Sequence, residues 1–101
     1  MKLLLITSIQ EFEKEIKLIL RKSEVKAYSH KSVKGYKDIS DLSMQNNWFA
    51  TEINESESVL FYAFVPKENV DKVFDLVSEF NKKQESLSHI HLAMLNIERS
   101  N

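Results

Sequence analysis

Two hydrophobic periods alternate along the chain, and their order restricts its fold more than any other feature. Residues 2–7 form a short, almost continuously apolar run, which is typical of a buried strand. The apolar side chains that follow recur at helical spacing on one face, at Phe12, Ile16, Ile19 and Leu20. The same succession of strand and helix patterns returns in residues 59–65 and 70–80. We therefore predict two strand–helix units, which fit within one domain of 101 residues.

The remaining segments supply two more strands. Residues 25–34 alternate imperfectly between polar and apolar side chains and predict strand two, and residues 89–98 predict strand four. Helix one is expected over residues 9–22, because Ser8 and Glu11 have the spacing of a capping box at its start. The predicted order is β-α-β-β-α-β. This is the α+β, ferredoxin-like sandwich, a four-stranded antiparallel sheet with two helices on one face.

The second face of that sheet is expected to meet another subunit. Two helices can cover only one face of a four-stranded sheet. Strands one, three and four place apolar residues on both faces rather than alternating with polar ones. If this face were exposed to solvent, its apolar patch would be larger than those of most monomers, whose largest patch is typically about 300–600 Å². The sequence therefore predicts an oligomer.

Composition excludes several classes of function. The chain has one glycine, Gly35, and one proline, Pro66, whereas phosphate loops and dinucleotide fingerprints require more glycines. The absence of cysteine excludes disulfides and thiolate chemistry, and a net charge of −1 argues against nucleic-acid binding. The N-terminal apolar run is too short for a signal peptide, and no stretch approaches the ~20 apolar residues of a membrane span. We expect a cytoplasmic protein that does not insert into membranes.

Residues 35–58 are predicted to form one long loop. They follow neither hydrophobic period and are rich in serine, threonine and asparagine, and long loops in compact domains tend to be functional. No basic residue occurs from 38 to 57, so the segment is acidic. Trp48 and Phe49 stand together in it, either as an anchor for a partner protein or folded back onto their own subunit.

The element order, the Val33-Lys34-Gly35 ending of strand two and the long loop before strand three together resemble PII signalling proteins. The resemblance implies a homotrimer with its sheets packed around a central axis. It implies clefts between subunits that bind nucleotides, and a long loop, the T-loop, that docks on membrane transporters or enzymes. ACT domains and CutA proteins share this fold and stay open as alternatives.

The resemblance also suggests a ligand site at the start of the long loop, at Lys34, Gly35, Tyr36 and Lys37. The two lysines suit a phosphate or another anion, although such charges are more often a solvated face. Lys37 stands where ATP-binding PII proteins carry a second glycine, and their glycine-rich phosphate loop falls on residues 82–88, which contain none. Binding of ATP or ADP is therefore expected to be weak or absent. Divergent PII-like proteins linked to metal efflux or other membrane transport share this departure.

His89 and His91 are two apart in the predicted strand four, so both imidazoles would point to the same side. Such a pair can hold zinc or copper if further ligands come from the acidic loop or from a trimer axis. The alternative is a pair of exposed residues at a strand edge. The chain has neither the glycines of a nucleophile elbow nor a distinctive carboxylate pair, so we expect a binding protein rather than an enzyme.

Overall fold

In the part of the chain that the structure describes, the sheet contains four antiparallel strands, β1 Lys2–Ile9, β2 Ser29–Tyr36, β3 Glu55–Val65 and β4 His91–Asn96, in the spatial order β2-β3-β1-β4. The structure is a computed structural model and describes residues 1–36 and 55–101. Its helices in these ranges are α1 Glu13–Lys22, between β1 and β2, and α2 Lys67–Lys83, between β3 and β4. A 3₁₀ turn, Gln10–Phe12, precedes α1. The predicted ferredoxin-like order is confirmed.

One face of the sheet packs against both helices and forms the core. Ile6 of β1 lies between Phe61 of β3 and Leu92 of β4 in the strand pairing. Phe12, at the end of the 3₁₀ turn, packs edge to face on Phe80 of α2, with ring centroids 5.0 Å apart. The buried apolar side chains of the core are Leu4, Ile6, Phe12, Ile16, Ile19, Leu20, Val25, Val59, Phe61, Ala63, Val65, Val70, Val73, Val77 and Ile90. The amphipathic faces predicted for the helices therefore lie on this side of the sheet.

The other face of the sheet, which we call the open face, is apolar as predicted. Leu3 pairs with Phe64 and Leu95, and Leu5 pairs with Tyr62 on the next strand. These side chains are only partly covered within the chain, and Phe64 is 57% exposed. The described residues thus leave an apolar surface across β3, β1 and β4 that the two helices cannot reach.

The predicted capping box at the start of helix one is wrong. Ser8 and Ile9 continue β1, because they pair with Val59 and Ser58 of β3. The Ser8 hydroxyl donates a hydrogen bond to the carbonyl of Ile9 at 2.8 Å and makes no cap. Strand pairing satisfies the backbone at this point, so the α-helical hydrogen bonds begin only at Glu13.

The start of strand two also lies later than predicted. The N–H groups of Glu24 and Val25 donate to the carbonyls of Arg21 and Leu20, at 3.1 and 2.9 Å. This is a Schellman motif, with Glu24 at φ 61° in the left-handed position that usually holds glycine. Val25 is therefore buried at the end of the helix, and β2 begins only at Ser29.

Strand four is shorter than predicted at both ends, because it begins at His91 rather than at residue 89 and ends at Asn96 rather than at residue 98. The backbone of Ile90 is held by the side chain of Asn81 in α2 and not by a neighbouring strand. Strand two ends at Tyr36 rather than at residue 34, and strand three begins at Glu55 rather than at residue 59, because these two strand ends pair with each other. The long loop predicted over residues 35–58 is therefore too long at both ends. Neither helix in the described part of the chain is long and apolar enough to cross a bilayer.

Candidate functional site

A cleft of about 490 Å³ opens on the open face, at the end of the sheet where β1 and β2 finish. We call it the sheet-end cleft. Strands β1, β2 and β3 contribute Thr7, Ser8, Ile9, Val33, Gly35, Tyr36, Ser56 and Ser58. The segment before β4 contributes Leu87, Ser88 and His89, and the first residue of β4 contributes His91. Four separate parts of the chain therefore meet at one site.

The register of β2 and β3 holds both ends of the long connection at this cleft. Gly35 pairs with Ser56 and Tyr36 pairs with Glu55, so residues 37–54 leave and return at adjacent points. The pairing closes an antiparallel ladder at the base of the connection. A ligand in the sheet-end cleft would contact the two strand ends from which residues 37–54 start.

Space is limited beside Gly35. A β-carbon there would lie 2.7 Å from the Ser58 Oγ atom and 3.1 Å from the Ser56 Oγ atom. The two hydroxyls lie 3.4 Å from each other. The φ angle of Gly35 is not positive, so conformational freedom is not the reason for a glycine. The missing side chain lets two serine hydroxyls approach the β2 backbone and line the cleft.

The segment before β4 is attached to α2 through one side chain. The Asn81 amide nitrogen donates to the Ile90 carbonyl at 3.0 Å, and the Ile90 N–H donates to the Asn81 amide oxygen at 2.9 Å. The adjacent Ile90 side chain is buried in the core. These contacts fix the backbone between His89 and His91, so that both imidazoles line the cleft.

The described lining of the cleft combines polar side chains with apolar ones, among them Ile9, Val33 and Leu87. Thr7, Ser56, Ser58 and Ser88 bring hydroxyl groups, while His89 and His91 bring imidazoles. The His89 Nδ1 atom lies 3.1 Å from the Leu87 carbonyl oxygen. Within the described ranges no lysine or arginine lines the cleft. The chemistry available there is hydrogen bonding to a small polar ligand and coordination through imidazole nitrogen.

The structure brings four of the predicted site residues together, namely Gly35, Tyr36, His89 and His91. Lys34, which lies between Val33 and Gly35 in β2, is not among the lining residues. Lys37, Trp48 and Phe49 lie outside the described residues.

The geometry assumed for the histidine pair is wrong in one respect. His89 precedes β4, so the two residues are not consecutive members of one strand face. Among residues 1–36 and 55–101 no group of three or more histidine, aspartate, glutamate or cysteine side chains could hold a metal ion.

Sequence reasoning missed the two serines of β3 and Asn81. Ser56 and Ser58 lie in a segment that the sequence predicted to be a loop. They are two residues apart, so in a strand they would share one face of the sheet. Asn81 sits near the end of α2 among polar residues, and no local pattern marks its partner nine residues later.

The described architecture is similar to that of a protein whose structure has been solved. No family model matches the chain, and no curated protein matches its sequence. The chain is similar in structure to CPII, a nitrogen regulatory PII-like protein from Thiomonas intermedia K12, solved with ADP, AMP and bicarbonate bound. The match has a TM-score of 0.60 and 15% sequence identity, and it covers 97% of this chain and 94% of that one. The chain therefore has the PII-like fold, and the predicted fold resemblance is confirmed.

Proposed function

We propose that the chain is a PII-like regulatory protein that acts as a homotrimer in the cytoplasm and has no catalytic role. It binds a small ligand in the sheet-end cleft and docks on a partner protein, a membrane transporter, through the long connection between β2 and β3. The observation that carries the proposal is the cleft itself. Its walls include both ends of that connection, so occupation of the cleft can alter the segment that contacts the partner.

The position of the cleft on the open face supports a site completed by a second subunit. The open face is the surface that a trimer would bury, and the cleft lies at its edge. A neighbouring subunit would add a wall to a cleft that one chain leaves open. The whole chain would act as one domain, with the connection between β2 and β3 as its T-loop.

The lining favours a small hydrogen-bonding ligand over a nucleoside triphosphate. CPII was solved with ADP, AMP and bicarbonate, which makes these three the first ligands to test. In this chain the segment 82–88 has no glycine to bring backbone N–H groups close to phosphates, and the described lining has no basic side chain. Serine hydroxyls and imidazoles can still donate to a compact anion such as bicarbonate.

Calorimetric titration with bicarbonate, AMP, ADP and magnesium ATP tests the ligand assignment. We expect bicarbonate to bind and the nucleotides to bind weakly or not at all. The His91→Ala variant should weaken binding, whereas His30→Ala, which changes an exposed histidine on the helix side of β2, should not. Micromolar affinity for ATP would overturn the ligand assignment. Equal effects of the two variants would show that the ligand does not bind in this cleft.

The fluorescence of Trp48, the one tryptophan of the chain, tests the docking role directly. We expect emission typical of a solvent-exposed indole in the free protein and a blue shift when the partner transporter is added. Aromatic residues commonly dominate binding energy at interfaces, so Trp48→Ala should abolish the complex. A blue-shifted and quencher-protected emission in the free protein would mean that the indole is already buried, and docking would then lose its support.

A metal-responsive regulator is the second candidate, because His89 and His91 line the same cleft. Two imidazoles are too few for a stable zinc site, which usually has four ligands. Further ligands would come from a second subunit or from the acidic connection. The third candidate is an ACT-like sensor of small molecules, which we would expect to form a dimer rather than a trimer.

A further inference from the structure

A second concave surface lies at the other end of β2, between α1 and the segment that follows it. We call it the α1 groove, and its volume is about 670 Å³. One wall is a stripe of α1 that contains Lys14, Lys17, Leu18 and Arg21, at positions i, i+3, i+4 and i+7. The facing wall is formed by Glu24, Val25, Lys26 and Tyr28. The volume falls within the range of small-molecule sites, which is about 300–1,000 Å³.

The rim of the α1 groove is strongly basic. Lys14, Lys17, Arg21 and Lys26 line it, against one acidic side chain, Glu24. Among the described residues, the ion pair at this rim joins the Lys17 ammonium to Glu13 at 3.2 Å, within the same helix. Within the described ranges, Lys14, Arg21 and Lys26 form no such ion pair. The concentration of positive charge around a concave surface attracts anions.

The floor of the groove is apolar and firmly held. Val25 is 7% exposed and belongs to the core, where the Schellman motif at the end of α1 fixes its backbone. The Tyr28 ring packs against Phe61 with centroids 5.6 Å apart. Leu18 adds a side chain that is 42% exposed. A ligand therefore meets a pre-formed apolar surface below a cationic rim.

We propose that the α1 groove is a second binding site, for a small anion with an apolar body. The anionic group would contact Arg21 and Lys26 at the rim, and the apolar body would cover Leu18, Val25 and Tyr28. The body is either an aromatic ring system or an acyl chain, since both match this floor. The site is separate from the sheet-end cleft, because the groove adjoins the start of β2 and the cleft adjoins its end.

Glu24 opposes such a ligand through its charge and therefore provides a sensitive test. It occupies a left-handed backbone position, at φ 61°, and its carboxylate is the one negative group of the described lining. Replacement by glutamine keeps the size of the side chain and removes the repulsion. Glu24→Gln should therefore bind an anion several-fold more tightly, by about fivefold for a repulsion near 1 kcal/mol at the surface.

The test is a titration of the isotope-labelled protein followed by amide chemical shifts. Three probes separate the contribution of the negative charge from that of the apolar body. They are 8-anilinonaphthalene-1-sulfonate as an aromatic anion, laurate as an acyl anion, and inorganic phosphate as an anion without an apolar body. We expect saturable shifts in residues 14–28 with one or both organic anions, and which one binds identifies the body. Phosphate should produce no saturable shift.

Two neighbouring residues provide a matched pair of variants. Arg21→Gln removes a charge from the rim and should raise the dissociation constant about tenfold, the usual effect of losing a charge-assisted contact. Lys22→Gln also removes a positive charge, one residue away, where the side chain is not part of the groove lining. This control should change the dissociation constant by less than about twofold. Equal effects of the two variants, shifts confined to the open face, or binding of phosphate as strong as that of the organic anions would each overturn the proposal.

Discussion

At the scale of single residues, the sheet-end cleft depends on the smallest side chain in the sheet. Gly35 leaves room for the Ser56 and Ser58 hydroxyls beside the β2 backbone. Its role concerns close packing rather than a turn, since its φ angle is not positive. The space beside one residue therefore shapes a surface that also includes the ends of the long connection.

Gly35→Ala should lower stability by about 1 kcal/mol, because the new methyl group overlaps the Ser58 Oγ atom, 2.7 Å from an ideal β-carbon. Ser58→Ala removes that oxygen, so the double variant should recover part of the loss. Urea unfolding of the two single variants and the double variant measures the coupling between the sites. Strictly additive effects would show that the steric contact is not the cause.

His91→Ala tests the metal-responsive alternative. If the two cleft histidines hold zinc or copper, the metal should raise the melting temperature of the parent protein, since a ligand that binds the native state stabilises it. His91→Ala should abolish that increase, while His30→Ala should preserve it. An unchanged melting temperature with every divalent metal tested would exclude this candidate.

At the scale of secondary structure, one side chain joins α2 to the start of β4. Asn81 uses both its amide nitrogen and its amide oxygen on the backbone of Ile90. A second asparagine in α2, Asn69, donates to the Ser23 carbonyl at 3.1 Å and joins the helix to the end of α1. The first contact adjoins the sheet-end cleft, and the second lies near the end of α1.

Asn81→Ala should destabilise the protein by about 2 kcal/mol, because both backbone groups of Ile90 lose their partner in a part-buried position. Amide hydrogen exchange should also become faster in residues 84–90, which carry part of the cleft wall. Asn69→Ala is the matched control, since it removes one hydrogen bond and should leave exchange in residues 84–90 unchanged. Protection that persists in Asn81→Ala would contradict the assigned role.

At the scale of the whole molecule, the open face is an apolar surface that no other part of the described structure covers. Tyr62, Phe64 and Leu95 are between 41% and 57% exposed on it. Burial of such area contributes about 25 cal/mol per Å², and part of this is lost to the entropy of association. This is the physical reason for the assembly proposed above, in which the open faces of several subunits meet.

Phe64→Asp should convert a trimer into monomers, because it would place a carboxylate in the buried centre of the contact. Light scattering coupled to size exclusion measures the mass, which we expect to be three times that of the chain for the parent protein. Phe74→Asp is the matched control, as Phe74 is 39% exposed on the helix side and should not affect assembly. A parent protein that is monomeric at micromolar concentration would contradict this assembly, and a dimer would favour the ACT-like alternative.

The sequence alone determined the order of the elements and the faces they bury. Burial follows periodicity, so a strand with apolar residues at every position and a helix with one apolar stripe can be recognised locally. Residues 59–65 and the stripe through Val70, Val73 and Val77 were identified in this way. The two-sided apolar character of β1 and β3 was equally visible, because it needs no knowledge of the partner strands.

Tertiary structure alone decided the boundaries of the elements and the composition of the sheet-end cleft. Ser8 has the local pattern of a helix cap, but pairing with Val59 keeps it in a strand. Thr7, Gly35, Ser58 and His91 are neighbours only because the register of β1 with β3 and β4, and of β2 with β3, places their strand positions together. Register depends on contacts between segments far apart in the chain, and local sequence patterns contain no information about which residues will be opposite each other.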